Sequence, residues 1–358
     1  MSAEIQIRSG EHVLSRIIEG KCIEELGAIL EKEKHTYLVY DKKAGLHARK
    51  LEGFVNASLA LDTGEDTKTL ATVENICIWL LNSGADRNAL LVAVGGGITT
   101  DMCGMAASIY KRGIRFAYVP TTLLAQVDAA IGGKTGVNLL SYKNMLGTIR
   151  QNEFTWMSPD VLTTLPEGEF FDGAAELLKT FIIDNSSHSY RAAVRMLRTI
   201  RADGWTAEDY FPQISRLVHE AAKVKAAIVE RDQFENGERR LLNLGHTFAH
   251  AIEHHSRLDG SRITHGEAVA MGIILAARVA VRLDDTKHKG RKNICDTLIQ
   301  DFTDCGLPVR CPYALEDLSE AMRKDKKAED GKIHFILPFA IGDVRIVDLT
   351  VEEMMENI

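Results

Sequence analysis

The feature that most constrains the fold is an uninterrupted apolar strand that runs into three glycines. Residues 90–94 are all apolar and continue into Gly95-Gly96-Gly97, after which a helical pattern covers residues 99–110. Further short apolar runs cover residues 37–40 and 116–119. A strand that packs on one face alternates apolar and polar residues, whereas a strand covered on both faces is apolar throughout. The order of these segments therefore predicts a parallel sheet with helices on both faces.

Helical periodicity dominates from residue 166 onward. The pattern predicts helices over 167–183, 190–200, 207–230, 241–257, 267–283, 291–305 and 315–324, with strands over 333–337 and 344–347. The length of 358 residues allows two domains. We expect an α/β N-terminal, Rossmann-like parallel-sheet domain over residues 1–165 and a mainly α-helical C-terminal domain over residues 166–358.

Charge and apolar patterning exclude several classes of protein. The chain has 43 Lys and Arg against 50 Asp and Glu, whereas general nucleic-acid binding requires a positive excess. The longest mainly apolar stretch, residues 268–281, has 14 residues and is too short to cross a bilayer. The first ten residues lack a basic segment followed by an apolar one, and the six cysteines show no C-x-x-C spacing. We expect a cytoplasmic protein without nucleic-acid or membrane partners.

Two glycine-rich stretches indicate an anion-binding function. Gly95-Gly96-Gly97 lies between a strand and a helix, where a phosphate can approach the backbone and meet N–H donors. A plain tight turn is the alternative. The polar stretch 121–144 contains Gly132-Gly133-Lys134-Thr135-Gly136 and Lys143, but Asp128 stands where a P-loop needs its first glycine, so a Walker NTPase is excluded. A glycine-rich loop with two lysines suits an anionic substrate, and a solvated loop is the alternative.

Histidines are enriched over residues 246–265, which indicates a metal site. His246 and His250 are four residues apart, so on a helix they share one face and could bind one cation. His254 continues the same face and His265 follows. A metal such as zinc would accept these nitrogens together with a carboxylate. For any single histidine, a structural role is the alternative, and helical spacing alone pairs His246 with His250.

A carboxylate and a lysine stand three residues apart in an apolar helical pattern. Glu176 and Lys179 could form an exposed ion pair of little consequence. The apolar neighbours on both sides favour a buried helix instead, where such a pair would need a purpose.

These residues together resemble the dehydroquinate synthases, a family within the sugar-phosphate cyclase group. The resemblance runs from Asp41 to the final strands. Its motifs are Gly95-Gly96-Gly97 with Asp101, Tyr110-Lys111-Arg112-Gly113, residues 120–128, Gly132-Gly133-Lys134-Thr135-Gly136, Lys143-Asn144, Ala175-Glu176 with Lys179, residues 242–247, His265-Gly266-Glu267-Ala268 and Asp325-Lys326-Lys327.

The resemblance implies a site for Zn²⁺ or Co²⁺ formed by Glu176, His246 and His265. Three protein ligands leave coordination positions open, as a catalytic metal requires. By the same resemblance His250 contacts the substrate rather than the metal. This assignment replaces the pairing of His246 with His250 that helical spacing predicts.

The resemblance also implies catalytic NAD⁺, a small anionic sugar-phosphate substrate and a homodimer. The implied NAD⁺ residues are Asp41, Glu65, Lys68, Gly96, Gly97, Asp101, Thr121, Thr122, Lys134 and Lys143. The phosphate end of the substrate would meet Lys134, Asn144, His250 and Lys326, with Lys326 preferred over Lys327, and Arg112 would reach in from a neighbouring subunit. The substrate hydroxyls and carboxylate would meet Asp128, Lys179, Lys225, Arg239 and Asn243. Because this substrate carries two anionic groups, the basic residues must be concentrated in the cleft between the domains.

The implied reaction converts 3-deoxy-D-arabino-heptulosonate 7-phosphate to 3-dehydroquinate and phosphate, in the shikimate pathway of aromatic amino acid biosynthesis. One secondary hydroxyl is oxidised transiently by NAD⁺ while the metal holds it and its neighbour. The resulting ketone acidifies the adjacent C–H, and phosphate leaves and itself takes the proton. Return of the hydride, ring opening and an intramolecular aldol closure complete the product.

Other activities are separated from this one by few residues. Asn243 and His250 disfavour a cyclase that acts on a sedoheptulose phosphate, but a cyclase with an aminated substrate stays open. A metal-dependent NAD polyol dehydrogenase would release NADH and would not need Lys134, Lys143, Arg239 and Lys326. A catalytically silent binding protein would not need the metal ligands.

Overall fold

The protein is described by a computed structural model over residues 4–140, 142–185, 187–284, 293–324 and 332–358. The chain divides into two compact units. Unit 1 comprises Met1–Phe170 and Thr206–Phe234, and unit 2 comprises Phe171–Trp205 and Glu235–Ile358. The domain boundary at residue 165 stays a prediction.

Unit 1 is built on a mainly parallel sheet. The strands of the sheet are β1 (Glu4–Ser9), β2 (His12–Glu19), β3 (Thr36–Asp41), β4 (Ala57–Leu61), β5 (Leu90–Gly95), β6 (Arg115–Pro120) and β9 (Phe154–Met157). Two further strands, β7 (Lys134–Leu139) and β8 (Tyr142–Ile149), form a separate hairpin. The order across the sheet is β1-β2-β9-β6-β5-β3-β4, and all neighbours are parallel except β1 and β2. The predicted parallel sheet is confirmed.

Helices occur in both units. They are α1 (Gly27–Leu30), α2 (Gly45–Arg49), α3 (Leu70–Asn82), α4 (Gly97–Ile109), α5 (Glu167–Ile183), α6 (Ser187–Asp203), α7 (Ala207–Arg231), α8 (His246–Asp259), α9 (His265–Leu283), α10 (Ile294–Asp304), α11 (Leu315–Lys324) and α12 (Val351–Glu356). The predicted mainly helical C-terminal half is confirmed, and no helix of the described ranges is long and apolar enough to cross a membrane.

Side chains of β5 show why this strand is apolar throughout. Leu91 and Ala93 lie in one buried cluster together with residues of α3 and α4. Leu90, Val92 and Val94 lie in a second cluster, which includes residues of α2. Because successive side chains of a strand point to opposite faces, the two clusters cover the two faces of the sheet.

The polar stretch 121–144 departs from the loop expected of it. Strands β7 and β8 pair as an antiparallel hairpin, which contacts α4. Val137 is fully buried on this hairpin and joins the cluster of α3 and α4. The apolar residues of this hairpin do not alternate regularly, which is a weak strand signal, and the burial of Val137 comes from tertiary packing.

Unit 2 is mainly helical. It includes α6, α8, α9, α10, α11 and α12, most of α5, and the antiparallel hairpin of β10 (Ile333–Ala340) and β11 (Asp343–Leu349). Helices α8 and α9 pack closely, and a Cβ added to Gly272 of α9 would lie 2.2 Å from the carbonyl oxygen of Gly245. This close approach sets the distance between the two helices that carry histidines.

Candidate metal and substrate site

The start of α8 is set by a left-handed residue. Gly245 has φ = +79°, and it separates a 3-10 helix, Glu238–Asn243, from α8. An L-residue is strained at this φ, and its Cβ would also lie 2.8 Å from the backbone nitrogen of Ile273. The helix predicted to begin at residue 241 was therefore extended too far, because it begins at His246.

Three donor groups from three helices converge in unit 2. Oε1 of Glu176, on α5, lies 3.5 Å from Nε2 of His246 and 3.2 Å from Nε2 of His265. One ligand atom from each residue lies within 4.8 Å of the other two. His246 and His265 are the first residues of α8 and α9. The structure thus brings together the three residues that the resemblance pairs as metal ligands.

Lys179 accompanies this cluster. Its Nζ lies 2.5 Å from Oε2 of Glu176, and the two side chains are 1% and 0% exposed. The pair is therefore buried, as the apolar pattern favoured. A buried carboxylate is stable only with opposite charges or hydrogen bonds around it.

Burial and neighbouring charges act differently on the two histidines. Burial and the charge of Lys179 lower the pKa of His246 to about 3, so this ring is neutral near pH 7. Burial also lowers the pKa of His265, but hydrogen bonds to Glu176 and Glu253 outweigh it and raise the value to about 10. Two imidazoles and one buried carboxylate form a donor set that suits Zn²⁺ or Co²⁺, so the residues fit the implied metal.

Further predicted site residues of unit 2 lie close to His246 in the sequence. His250 lies one turn along α8, with its ring 5.7 Å from that of His246. Arg239 is buried in the 3-10 helix. Nδ2 of Asn243 donates to Oε1 of Glu235 at 2.6 Å. Glu235 has φ = +62°, and no sequence pattern indicated either this conformation or its contact with Asn243.

In unit 1, the half-buried Asp128 and the buried Lys225 form a second ion pair. Asp128 belongs to the π-helical segment Ala125–Ala129, a rare geometry that is frequent at functional sites. Nζ of Lys225, on α7, donates to the Asp128 carbonyl oxygen at 2.7 Å and also to its carboxylate. Lys225 is 6% exposed.

Several of the predicted cofactor residues lie at the carboxyl ends of the parallel strands in unit 1. Asp41 ends β3, while Thr121 and Thr122 follow β6. Gly96 is the N-cap of α4, which begins at Gly97. The first N–H groups of a helix lack partners within it and favour an anion such as a pyrophosphate. Ligands of open α/β sheets bind at this edge of the sheet.

A polar network connects the other members of this set. Nζ of Lys68 donates to Oδ2 of Asp101 and to Oδ1 of Asn144, both at 2.6 Å. Asn138, which the sequence reasoning did not select, accepts from the Asn144 backbone N–H at 3.0 Å and donates to Oε1 of Glu65 at 2.8 Å. Glu65 also lies 3.7 Å from Nζ of Lys143. The side-chain amide of Asn138 thus connects Glu65, a predicted cofactor residue, to Asn144, a predicted substrate residue.

Three predicted residues remain to be placed. Lys134 is exposed at the start of β7. Arg112 is exposed and has φ = +67°, next to Lys111 with φ = +49°. Two consecutive non-glycine residues in the left-handed region are unfavourable and are kept where the surroundings require them. Lys326 lies outside the described residues.

Solved structures share this fold. The 2-epi-5-epi-valiolone synthase of Streptomyces hygroscopicus, solved with NAD⁺ and Zn²⁺ bound, is 26% identical, with a TM-score of 0.84 over 99% of this chain and 98% of that one. A 2-deoxy-scyllo-inosose synthase, solved with carbaglucose-6-phosphate, NAD⁺ and Co²⁺, is 22% identical, with a TM-score of 0.80 over 99% and 98%. A probable glycerol dehydrogenase of Sinorhizobium meliloti is 15% identical and gives 0.62 over 95% and 93%. Fold and site together define a member of the sugar-phosphate cyclase group.

Sequence comparison narrows this class to one family. The family models for the N-terminal and C-terminal parts of 3-dehydroquinate synthase match residues 58–172 and 173–328. The 3-dehydroquinate synthase of Pyrococcus abyssi is 40% identical over 83% of both chains. That of Picosynechococcus is 34% identical over 100% of this chain and 98% of its own. The chain belongs to the 3-dehydroquinate synthase family, which confirms the resemblance.

Proposed function

We propose that this enzyme is a carbon–oxygen lyase that converts 3-deoxy-D-arabino-heptulosonate 7-phosphate to 3-dehydroquinate and phosphate. The observation that carries the proposal is the convergence of Glu176, His246 and His265, with Lys179 buried beside them, in a chain of this family. When bound, the metal polarises substrate hydroxyls as a Lewis acid and NAD⁺ takes up and returns a hydride.

The residues that bind NAD⁺ and the residues that bind the metal belong to different parts of the chain in this proposal. We propose that residues 1–165 bind NAD⁺ and that residues 166–358 supply the metal ligands Glu176, His246 and His265. The proposed NAD⁺ residues are Asp41, Glu65, Lys68, Gly96, Gly97, Asp101, Thr121, Thr122, Lys134 and Lys143. The strand-end positions and the N-terminus of α4 support this assignment.

The remaining residues bind and orient the substrate. Arg239 offers a planar, permanently charged fork that matches a carboxylate, and its burial strengthens such a pair. Asp128 and Lys225 bind hydroxyls as one hydrogen-bonded unit, while Asn243 is oriented by Glu235. The phosphate end meets Lys134, Asn144, His250 and Lys326. Since the leaving phosphate takes the proton of the adjacent C–H, these side chains need to orient rather than to act as bases.

One assay tests this function against the alternatives. The enzyme, loaded with Zn²⁺ or Co²⁺ and NAD⁺, is incubated with the heptulosonate phosphate, and phosphate, 3-dehydroquinate and NADH are followed. We expect equal amounts of phosphate and 3-dehydroquinate with no net NADH. Net NADH without phosphate would indicate a polyol dehydrogenase, and turnover of only an aminated substrate would indicate the other cyclase.

We further propose a cytoplasmic homodimer in which Arg112 contributes to the site of the neighbouring subunit. The strained, exposed segment of Lys111 and Arg112 supports this role. Mixing inactive Arg112→Ala and Glu176→Gln enzymes should restore part of the activity, because each mixed dimer contains one intact site. Absence of recovery in confirmed heterodimers would contradict a shared site.

A further inference from the structure

Two imidazole rings of unit 2 direct the same nitrogen at the same oxygen. Nε2 of His246 and Nε2 of His265 lie 3.5 Å and 3.2 Å from Oε1 of Glu176. The rings stand 5.4 Å apart at an angle of 67°. A shared direction from two different helices requires that each ring is prevented from turning about its side-chain bonds.

The opposite nitrogen of each ring has its own hydrogen-bond acceptor. Nδ1 of His246 lies 3.2 Å from the carbonyl oxygen of Leu244, and Nδ1 of His265 lies 3.2 Å from Oε1 of Glu253. A neutral imidazole that donates from Nδ1 carries its single proton there and keeps a lone pair at Nε2. Because Nδ1 of each ring is occupied by its own acceptor, a cation that takes the place of any proton on Nε2 is bound through that nitrogen.

The two acceptors differ in kind. The acceptor for His246 is a backbone carbonyl two residues away, whereas the acceptor for His265 is a side chain twelve residues away. Only the second can be removed by substitution. The orientation of His265 therefore depends on Glu253 in a way that can be measured.

Glu253 is placed rigidly enough for this task. It lies on α8, seven residues after His246, so the two side chains share one face of the helix two turns apart. Its side chain is 6% exposed. The backbone of His265 is fixed separately, because Thr264 forms a capping box at the start of α9 and Asp172 accepts from the Gly266 N–H at 2.5 Å.

From this geometry we infer that Glu253 is a positioning residue for the proposed metal site. Its carboxylate accepts the Nδ1–H of His265 and thereby aims Nε2 of that ring at the cation. The inference rests on the proposed metal ligands but adds a residue that acts only through one of them. Outer partners of metal-bound histidines typically change metal affinity by about 10- to 100-fold.

The test measures Co²⁺ affinity of the full chain at one fixed pH, from the visible absorption of the bound ion. Glu253→Ala removes the acceptor, and Glu253→Asp keeps the charge but withdraws the carboxylate by one methylene. Glu253→Gln keeps both the reach and an acceptor oxygen. We expect Co²⁺ binding to weaken by about 10- to 100-fold in the Ala and Asp variants and by less than about 10-fold in the Gln variant.

Controls separate positioning from general stability. Ser256→Ala removes a buried hydroxyl of the same helix that donates to the carbonyl oxygen of Ser261. This variant should lower the thermal midpoint without changing Co²⁺ affinity. NAD⁺ affinity should be unchanged in every Glu253 variant, which shows that unit 1 has folded, and wild-type helical circular dichroism shows that the mainly helical unit 2 has folded.

Each outcome decides one point. Wild-type affinity in Glu253→Ala, or tighter binding by the Asp than by the Gln variant, would overturn the inference. Failure of the metal site itself gives a different result, because His265→Ala would then bind Co²⁺ as tightly as the wild type. If Glu253→Ala does not fold, the order of the Asp and Gln variants still decides.

Discussion

Replacing Gly272 by alanine perturbs the distance between the two helices that carry the histidines. A Cβ at this position would lie 2.2 Å from the carbonyl oxygen of Gly245 and 3.1 Å from the backbone nitrogen of Ala249. A Cβ atom does not lie within 3.0 Å of a nonbonded heavy atom, and both neighbours here are backbone atoms rather than flexible side chains. The start of α8 must therefore move away from α9 by roughly 1 Å, since packed interiors absorb added methyl groups poorly.

The expected loss of stability follows from this clash. Overpacking by one methyl group costs about 1–3 kcal/mol. In a unit of about 160 residues, 1 kcal/mol corresponds to about 3 °C, so the thermal midpoint of unit 2 should fall by about 3–9 °C. Because His246 is the first residue of α8, the same movement displaces it from His265. Metal sites tolerate deviations of about 0.2 Å, so Co²⁺ affinity should also fall.

Calorimetry of the metal-free protein and Co²⁺ titration measure both effects. Gly168→Ala is the matched control, because it also adds a methyl group to a helical glycine but meets nothing within 4 Å. This control should keep the wild-type midpoint or raise it, since alanine favours helices by up to about 1 kcal/mol over glycine. If Gly272→Ala keeps both the midpoint and the Co²⁺ affinity of the wild type, the argument from close packing is wrong.

Three further outcomes are expected. Asn138→Ala removes hydrogen bonds to Asn144 and Glu65 and should lower the free energy of unfolding in urea by about 1–2 kcal/mol, and an unchanged midpoint would contradict this. Burial lowers the pKa of His47, so the unfolded chain takes up its proton first as the pH falls, and stability should decline below a pH of about 6.5. His47→Gln should flatten that decline in thermal melts, whereas an identical pH dependence would exclude His47 as its cause. Removal of metal by a chelator should lower the wild-type thermal midpoint but leave that of His265→Ala unchanged.

The sequence predicts those parts of the fold whose burial is uniform. Residues 90–94 are apolar because β5 is covered on both faces. This continuous apolar run is the pattern that predicted a parallel sheet. The hairpin of β7 and β8 was not predicted, because its apolar residues do not alternate regularly and, among those of the two strands, only Val137 is buried. The helix α8 was predicted to start too early because the helical sequence pattern runs on through Gly245. The backbone of Gly245 is left-handed, and it ends the preceding segment so that α8 begins at His246.

The candidate site shows the same division between local and tertiary information. Helical spacing pairs His246 with His250, whereas His265 and Glu176 meet although they are 89 residues apart. Only the family resemblance could connect them. Glu253 was within reach of spacing arguments, because it continues the face of α8 that carries both histidines. Glu235 was not, since its contact depends on an unusual backbone conformation.

The most direct test of the account is anomalous X-ray scattering at the zinc edge from crystals of the zinc-loaded enzyme. We expect one strong anomalous peak that marks a zinc ion at about 2.0–2.2 Å from a carboxylate oxygen of Glu176, Nε2 of His246 and Nε2 of His265. Zinc bound elsewhere, or bound by His246 and His250 without His265, would contradict the account.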